Sequence, residues 1–140
     1  MKVDGVPGRH ASGGFSLVEL IIVVVVASVI AAIAVPSYQA HARKSRRAAA
    51  TAALFDAASR QEQFFLDNKS YTVTVTAGGL NMSAVTEDGA YALSVDAPSG
   101  ACPIDRCYRV RATPQGPQAG DSCGPLTIDS DRVKSPGECW

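Results

Sequence analysis

Histidine is scarce in this 140-residue chain: only His10 and His41 occur. Neither has a nucleophile or ligand pattern around it, so triad hydrolysis and histidine-held metal chemistry have no foothold. No Gly-rich loop is placed to cradle a phosphate, no Cys-x-x-Cys redox motif occurs, and no internal repeat is evident. An enzyme is therefore not expected, and neither a metal nor a cofactor is called for. Charge of one sign is lacking too. Lys plus Arg number 13 and Asp plus Glu number 13, for a net charge of zero. That disfavours a nucleic-acid binder working by bulk charge and leaves room only for a local basic patch.

Polar residues are nearly absent from one stretch. Between Phe15 and Val35 only Ser16, Glu19 and Ser28 are polar. These residues, at about 1.5 Å each, would give a helix of roughly 31 Å, the thickness of a bilayer's hydrocarbon core. A short polar leader, Met1 to Gly14, precedes it, with Lys2, Asp4 and Arg9. A secretory signal peptide cut after Ala34, at Ala32-Ile33-Ala34, is the rival reading. The apolar run exceeds the usual h-region, however, and carries the carboxylate Glu19. An acid within an apolar span costs of order 2–3 kcal/mol and usually has a partner. Snorkelling toward headgroups is the plain alternative. The sharper reading is that Glu19 neutralises a cation, such as a free amine at Phe15, when helices pack together.

Gly14-Phe15-Ser16-Leu17-Val18-Glu19, after a polar leader and before an apolar helix with Pro36, resembles the class III leader of type IV pilins. The resemblance implies cleavage between Gly14 and Phe15 by a prepilin peptidase and N-methylation of Phe15. It implies pairing of Glu19 with the terminal amine of a neighbouring subunit, and a helix break near Pro36. The chain then divides into leader (1–14), membrane and filament-core helix (15–35), amphipathic half-helix (36–66) and a periplasmic, later extracellular, body (67–140).

Arg43, Lys44, Arg46 and Arg47 follow the apolar run, and a simple positive-inside count would place the body in the cytoplasm. The cysteines argue for the opposite side. All four lie within the last forty residues of a small body, which favours an oxidising compartment. The basic cluster then reads as a solvated helix face, or as contact with phospholipid headgroups or acidic neighbours.

Beyond Pro36, Ala50, Leu54, Ala57, Ala58, Gln61, Phe64 and Phe65 recur at spacings of three and four, an apolar stripe on one helix face. One helix from Phe15 to about Leu66 would run roughly 78 Å, with Asp67-Asn68 and Ser70 as its stop. Strand alternation appears at Tyr91–Asp96, at Tyr108–Thr113 and, more briefly, at Leu126–Asp129. A short strand at Tyr71–Val75 and a turn at Gly78-Gly79 are expected before them. The predicted fold is α+β: the long N-terminal helix packed on a small antiparallel sheet of three or four strands, which is also the pilin architecture. About 105 residues follow Val35, a body small enough to profit from cross-links.

Cys102, Cys107, Cys123 and Cys139 permit three pairings, and proximity favours Cys102–Cys107 with Cys123–Cys139. The second resembles the C-terminal disulfide loop of type IV pilins. A four-thiolate zinc site lacks the tight two-residue knuckles such sites favour. Together with Ala112 to Gly116 and the terminal Cys139-Trp140, the tail most resembles minor pilins of the PilE type. The function implied is a structural subunit, a minor pilin supporting pilus assembly, twitching motility, adhesion or DNA uptake. Its partners would be other pilin subunits, the prepilin peptidase, the inner-membrane assembly machinery and the inner membrane itself. A type II secretion pseudopilin is one alternative. The other is a secreted DNA- or ligand-binding protein cleaved after Ala34. Arg106, Arg109, Arg111, Arg132 and Lys134 are the candidate DNA patch; Arg109 and Arg111 would share one strand face, although no aromatics are interleaved with them for stacking.

Overall fold

The computed structural model describes residues 15–96 and 103–140. Gly14 and Cys102 lie outside the described residues, and with them half of the expected cleavage site and half of the expected Cys102–Cys107 bridge. Two compact units divide between Tyr38 and Gln39.

In the first unit, helix α1 (Leu17–Asn68, continuing into the second) begins with Glu19 in its first turn. Its side chains from Phe15 to Val35 are exposed throughout, and an 18-residue window reaches a mean hydropathy of 3.0. Ser28 donates its hydroxyl to the Val25 carbonyl at 2.7 Å, so this polar group is satisfied within the helix. The helix break expected near Pro36 does not occur: α1 runs through this residue, whose missing N–H removes only one intrahelical bond.

In the second unit α1 carries a stripe of fully buried Ala50, Leu54, Ala57 and Gln61. Against it lie β1 (Tyr91–Asp96), β2 (Arg109–Pro114), β3 (Leu126–Asp129) and β4 (Lys134–Ser135), an antiparallel sheet in the order β1-β2-β3-β4. Alternation explains the layer. Tyr91, Leu93, Val95, Val110, Ala112, Leu126 and Ile128 are buried toward the helix, while Ser94, Arg109 and Thr113 face out. Ala58, Phe64 and Phe65 of the expected stripe are half-buried at its margin.

The helix ends two residues beyond the expected Leu66. Lys69 adopts a left-handed φ of 57° and donates its N–H to the Phe65 carbonyl at 2.8 Å. The expected strand at Tyr71–Val75 is not one. Its backbone is used elsewhere: the Tyr71 N–H bonds Ile104, and the Thr74 and Val75 carbonyls accept from Leu80 and Met82. Thr72 is held by the buried Gln61 amide, which donates to its carbonyl at 2.6 Å and accepts its N–H at 3.0 Å. A side chain of α1 thus stands in for the neighbouring strand. The Gly78-Gly79 turn forms, with Gly78 at φ +86° and a Cβ on Gly79 blocked 2.0 Å from the Thr74 carbonyl oxygen.

Candidate functional site

Two parts of the chain have chemistry to offer: the bare apolar helix and the sheet end that gathers cations. In the helix, Phe15 is 80% exposed and Glu19 occupies the first turn. A carboxylate there suits the unpaired N–H groups of the helix start. Exposed apolar surface of this extent requires a membrane or other helices to cover it.

The disulfide Cys123–Cys139 closes the C-terminal loop across 16 residues, and Cys107 is also disulfide-bonded. The loop is fastened to α1 by a buried polar network whose centre is Asp121. Its carboxylate accepts both Arg47 Nε, at 2.6 Å, and Arg47 Nη2. It also accepts the Gln118 amide, the Tyr91 hydroxyl at 3.3 Å and the Cys123 N–H at 3.2 Å. These donors, led by Arg47, hold the Asp121 carboxyl down at about 2. Arg47 therefore does not belong to a free basic face.

The candidate DNA residues separate into three places. Arg109 and Arg111 share the outer face of β2 beside a shallow concavity of about 330 Å³, which Thr127, Asp129 and Ser135 also line. Arg111 is committed there, bonding Asp96 through Nε at 2.9 Å and Nη2 at 2.6 Å. Arg109 is exposed and makes no ion pair among the described residues. Arg106, in the turn before β2, and Arg132, in the β3–β4 turn, are exposed near that end of the sheet; the Ser130 N–H bonds the Tyr108 carbonyl at 3.1 Å. Lys134 stands apart. It pairs with buried Ile128 in the ladder, so it shares the helix-facing side, with its ammonium 4.7 Å from the Phe55 ring centre and 5.3 Å from that of Trp140.

The fold also supplies what the linear sequence did not display. Phe65, Tyr71 and Tyr108 form an aromatic strip with centroid separations of 4.8 and 4.7 Å. Glu62 accepts the Tyr108 hydroxyl at 3.2 Å, and burial together with that carboxylate raises the Tyr108 pKa. Phe65 and Tyr71 are half-exposed, and the Tyr71 N–H bonds Ile104 two residues before Arg106. The aromatic strip and the turns that carry Arg106 and Arg132 therefore lie toward one sheet end, joined from segments over sixty residues apart, while the cation–ring contacts among the described residues are those of Lys134.

A long apolar N-terminal helix whose second half underlies a four-stranded, disulfide-closed sheet defines the type IV pilin class. Residues 36–127 match the family described as type IV minor pilin ComP, DNA uptake sequence receptor, and the chain belongs to that family. Residues 9–35 match the prokaryotic N-terminal methylation motif. The chain is 39% identical over 64 residues to the type IV wide pilus major component PilA4 of Thermus thermophilus (46% of this chain) and spans about half the length of that relative, 48%. A solved type IV pilin from Shewanella oneidensis shares the fold, with a TM-score of 0.52 and 24% identity over 70% of this chain and 97% of that one. Pilins are structural, non-enzymatic proteins.

Proposed function

We propose that this chain is a minor pilin that enters a type IV pilus and binds DNA for uptake through the end of its sheet. The observation that carries the reading is the match of residues 36–127 to minor pilins described as DNA uptake sequence receptors. Before assembly the chain is anchored in the inner membrane by residues 15–35, with its body in the periplasm. A prepilin peptidase cuts between Gly14 and Phe15, and the new terminus is methylated. Glu19 then pairs with the Phe15 amine of a neighbouring subunit, because an ion pair is the cheapest way to keep both charges in an apolar helix bundle.

In the DNA step, Arg106, Arg109 and Arg132 contact phosphates while the exposed parts of Phe65 and Tyr71 offer apolar ring faces. Arg111, held by Asp96, shapes the surface and contributes less charge. The test is duplex-DNA binding by the purified chain across a salt series. Arg109→Ala and Arg132→Ala should each weaken binding several-fold and flatten the log–log salt slope by about 0.9, one released counterion per lost phosphate contact. Unchanged affinity and slope in both variants would remove the DNA role from this sheet end.

A further inference from the structure

We propose that Asp129 is a positioning residue for DNA: its carboxylate locks the β3–β4 turn and so holds Arg132 where a phosphate can meet it. The proposal rests on the DNA reading of this sheet end and adds the device that sets one of its cations in place.

β3 ends at Asp129 and β4 begins at Lys134, so residues 130–133 make the turn. Every N–H in it has a partner. Asp129 Oδ1 accepts from Asp131 at 3.1 Å and from Val133 at 2.9 Å. The Asp129 carbonyl accepts from Arg132 at 2.9 Å, and the Tyr108 carbonyl accepts from Ser130 at 3.1 Å. Asp129 thus takes all but one of these donors, two of them on a single carboxylate oxygen. Its own N–H closes the turn from the other side, on the Val133 carbonyl at 3.2 Å.

This fastening holds Arg132 at a left-handed φ of 61°. Glycine, asparagine or aspartate reaches that region at less cost than arginine, whose Cβ crowds the backbone. Such a residue persists only where its surroundings fix it, and such residues cluster at functional sites. The Arg132 side chain is exposed and forms no ion pair among the described residues. Its charge is felt by the Tyr108 phenol, and that of Asp131 by the Tyr71 phenol, so the turn lies near the aromatic strip.

Charge gives the role a sign. Asp129 stands opposite Arg109 in the ladder, and both line the outer concavity. No ion pair joins them, so Arg109 stays available. As a bare anion Asp129 would repel DNA, and neutralising it would tighten binding. As the acceptor that holds Arg132, its loss must weaken binding although the same negative charge is removed.

The test is binding of mixed-sequence duplex DNA by the purified full chain across a salt series. Asp129→Asn keeps the acceptor oxygen and should bind as tightly as wild type or several-fold tighter, with the same salt slope. Asp129→Ala should bind several-fold more weakly, with the slope flattened by about 0.9, as for loss of the Arg132 contact itself. Added to Arg132→Ala, it should cause no further loss. Amide exchange at Asp131 and Val133 should be fast in Asp129→Ala and slow in Asp129→Asn. Exchanging the neighbours, Asp131→Arg with Arg132→Asp, keeps Asp129 and the net charge, and aspartate suits the left-handed position. This chain should bind as weakly as Arg132→Ala. Wild-type or tighter binding by Asp129→Ala, a further loss on top of Arg132→Ala, or wild-type binding by the exchanged chain would overturn the positioning role. Unchanged binding in both Arg109→Ala and Arg132→Ala would instead overturn the DNA reading beneath it.

Discussion

Replacing Asp121 by alanine tests whether the buried polar network holds the C-terminal loop on the helix. The carboxylate side chain is 0% exposed and accepts from Arg47, Gln118, Tyr91 and the Cys123 N–H. Removing one partner of a buried ion pair costs about 3–5 kcal/mol. The Arg47 side chain is 26% exposed and can regain some hydration, so the lower end, about 3 kcal/mol, is expected. For a unit of about 100 residues that corresponds to a midpoint lowered by roughly 15 °C. A second signature comes from protons. Asp121 falls from 3.8 to about 2 in the folded state. A depressed folded value means stability that is complete above the unfolded value and lost as pH falls from about 4 to 2, worth about 2 kcal/mol. Asp88 and Asp96 are lowered as well, by Thr86 and Arg111, and contribute to both proteins alike. The assay is thermal unfolding of the full chain in detergent at pH 7, 4 and 2, followed through Trp140, the single tryptophan. The gap between wild type and Asp121→Ala should narrow as pH drops. Equal midpoints at pH 7, or a gap independent of pH, would refute the role given to the network.

Other outcomes follow from the same structure. Gln61→Ala removes both bonds to Thr72 and should cost about 2 kcal/mol, with faster amide exchange at Thr72 than elsewhere in the unit. Lys69→Gly relieves a left-handed residue at the helix end and should stabilise by about 0.5–1 kcal/mol in denaturant unfolding. Replacing Cys123 and Cys139 together by serine opens the 16-residue loop and should cost about 3 kcal/mol, visible as the loss of any reductant-dependent difference from that bridge. Glu19→Ala should leave the second unit folded yet drop out of sheared filaments; normal incorporation would remove the charge-pairing role.

Periodicity carried most of the fold into view. Ala50, Leu54, Ala57 and Gln61 repeat at helical spacing, and Tyr91, Leu93 and Val95 alternate at strand spacing, so their burial was legible from local pattern alone. The misread strand at Tyr71–Val75 has the right composition, but its hydrogen-bonding partners are a helix side chain and turns. Local sequence cannot register such a partner. The same limit hid Asp121, whose cation lies 74 residues away, and placed Arg47 among free basic residues. Lys134 was grouped with the arginines by charge, although pairing with Ile128 turns it to the opposite face of the sheet. The aromatic strip of Phe65, Tyr71 and Tyr108 is likewise a product of folding, since its rings come from the helix, a loop and the residue just before β2.

The most direct measurement of the central claim is the intact, unreduced mass of this chain in sheared surface filaments, with its N-terminal peptide mapped. The account predicts a chain that begins at methylated Phe15 and is four hydrogens lighter than its fully reduced form. A chain beginning at Val35, or one still beginning at Met1, would contradict it.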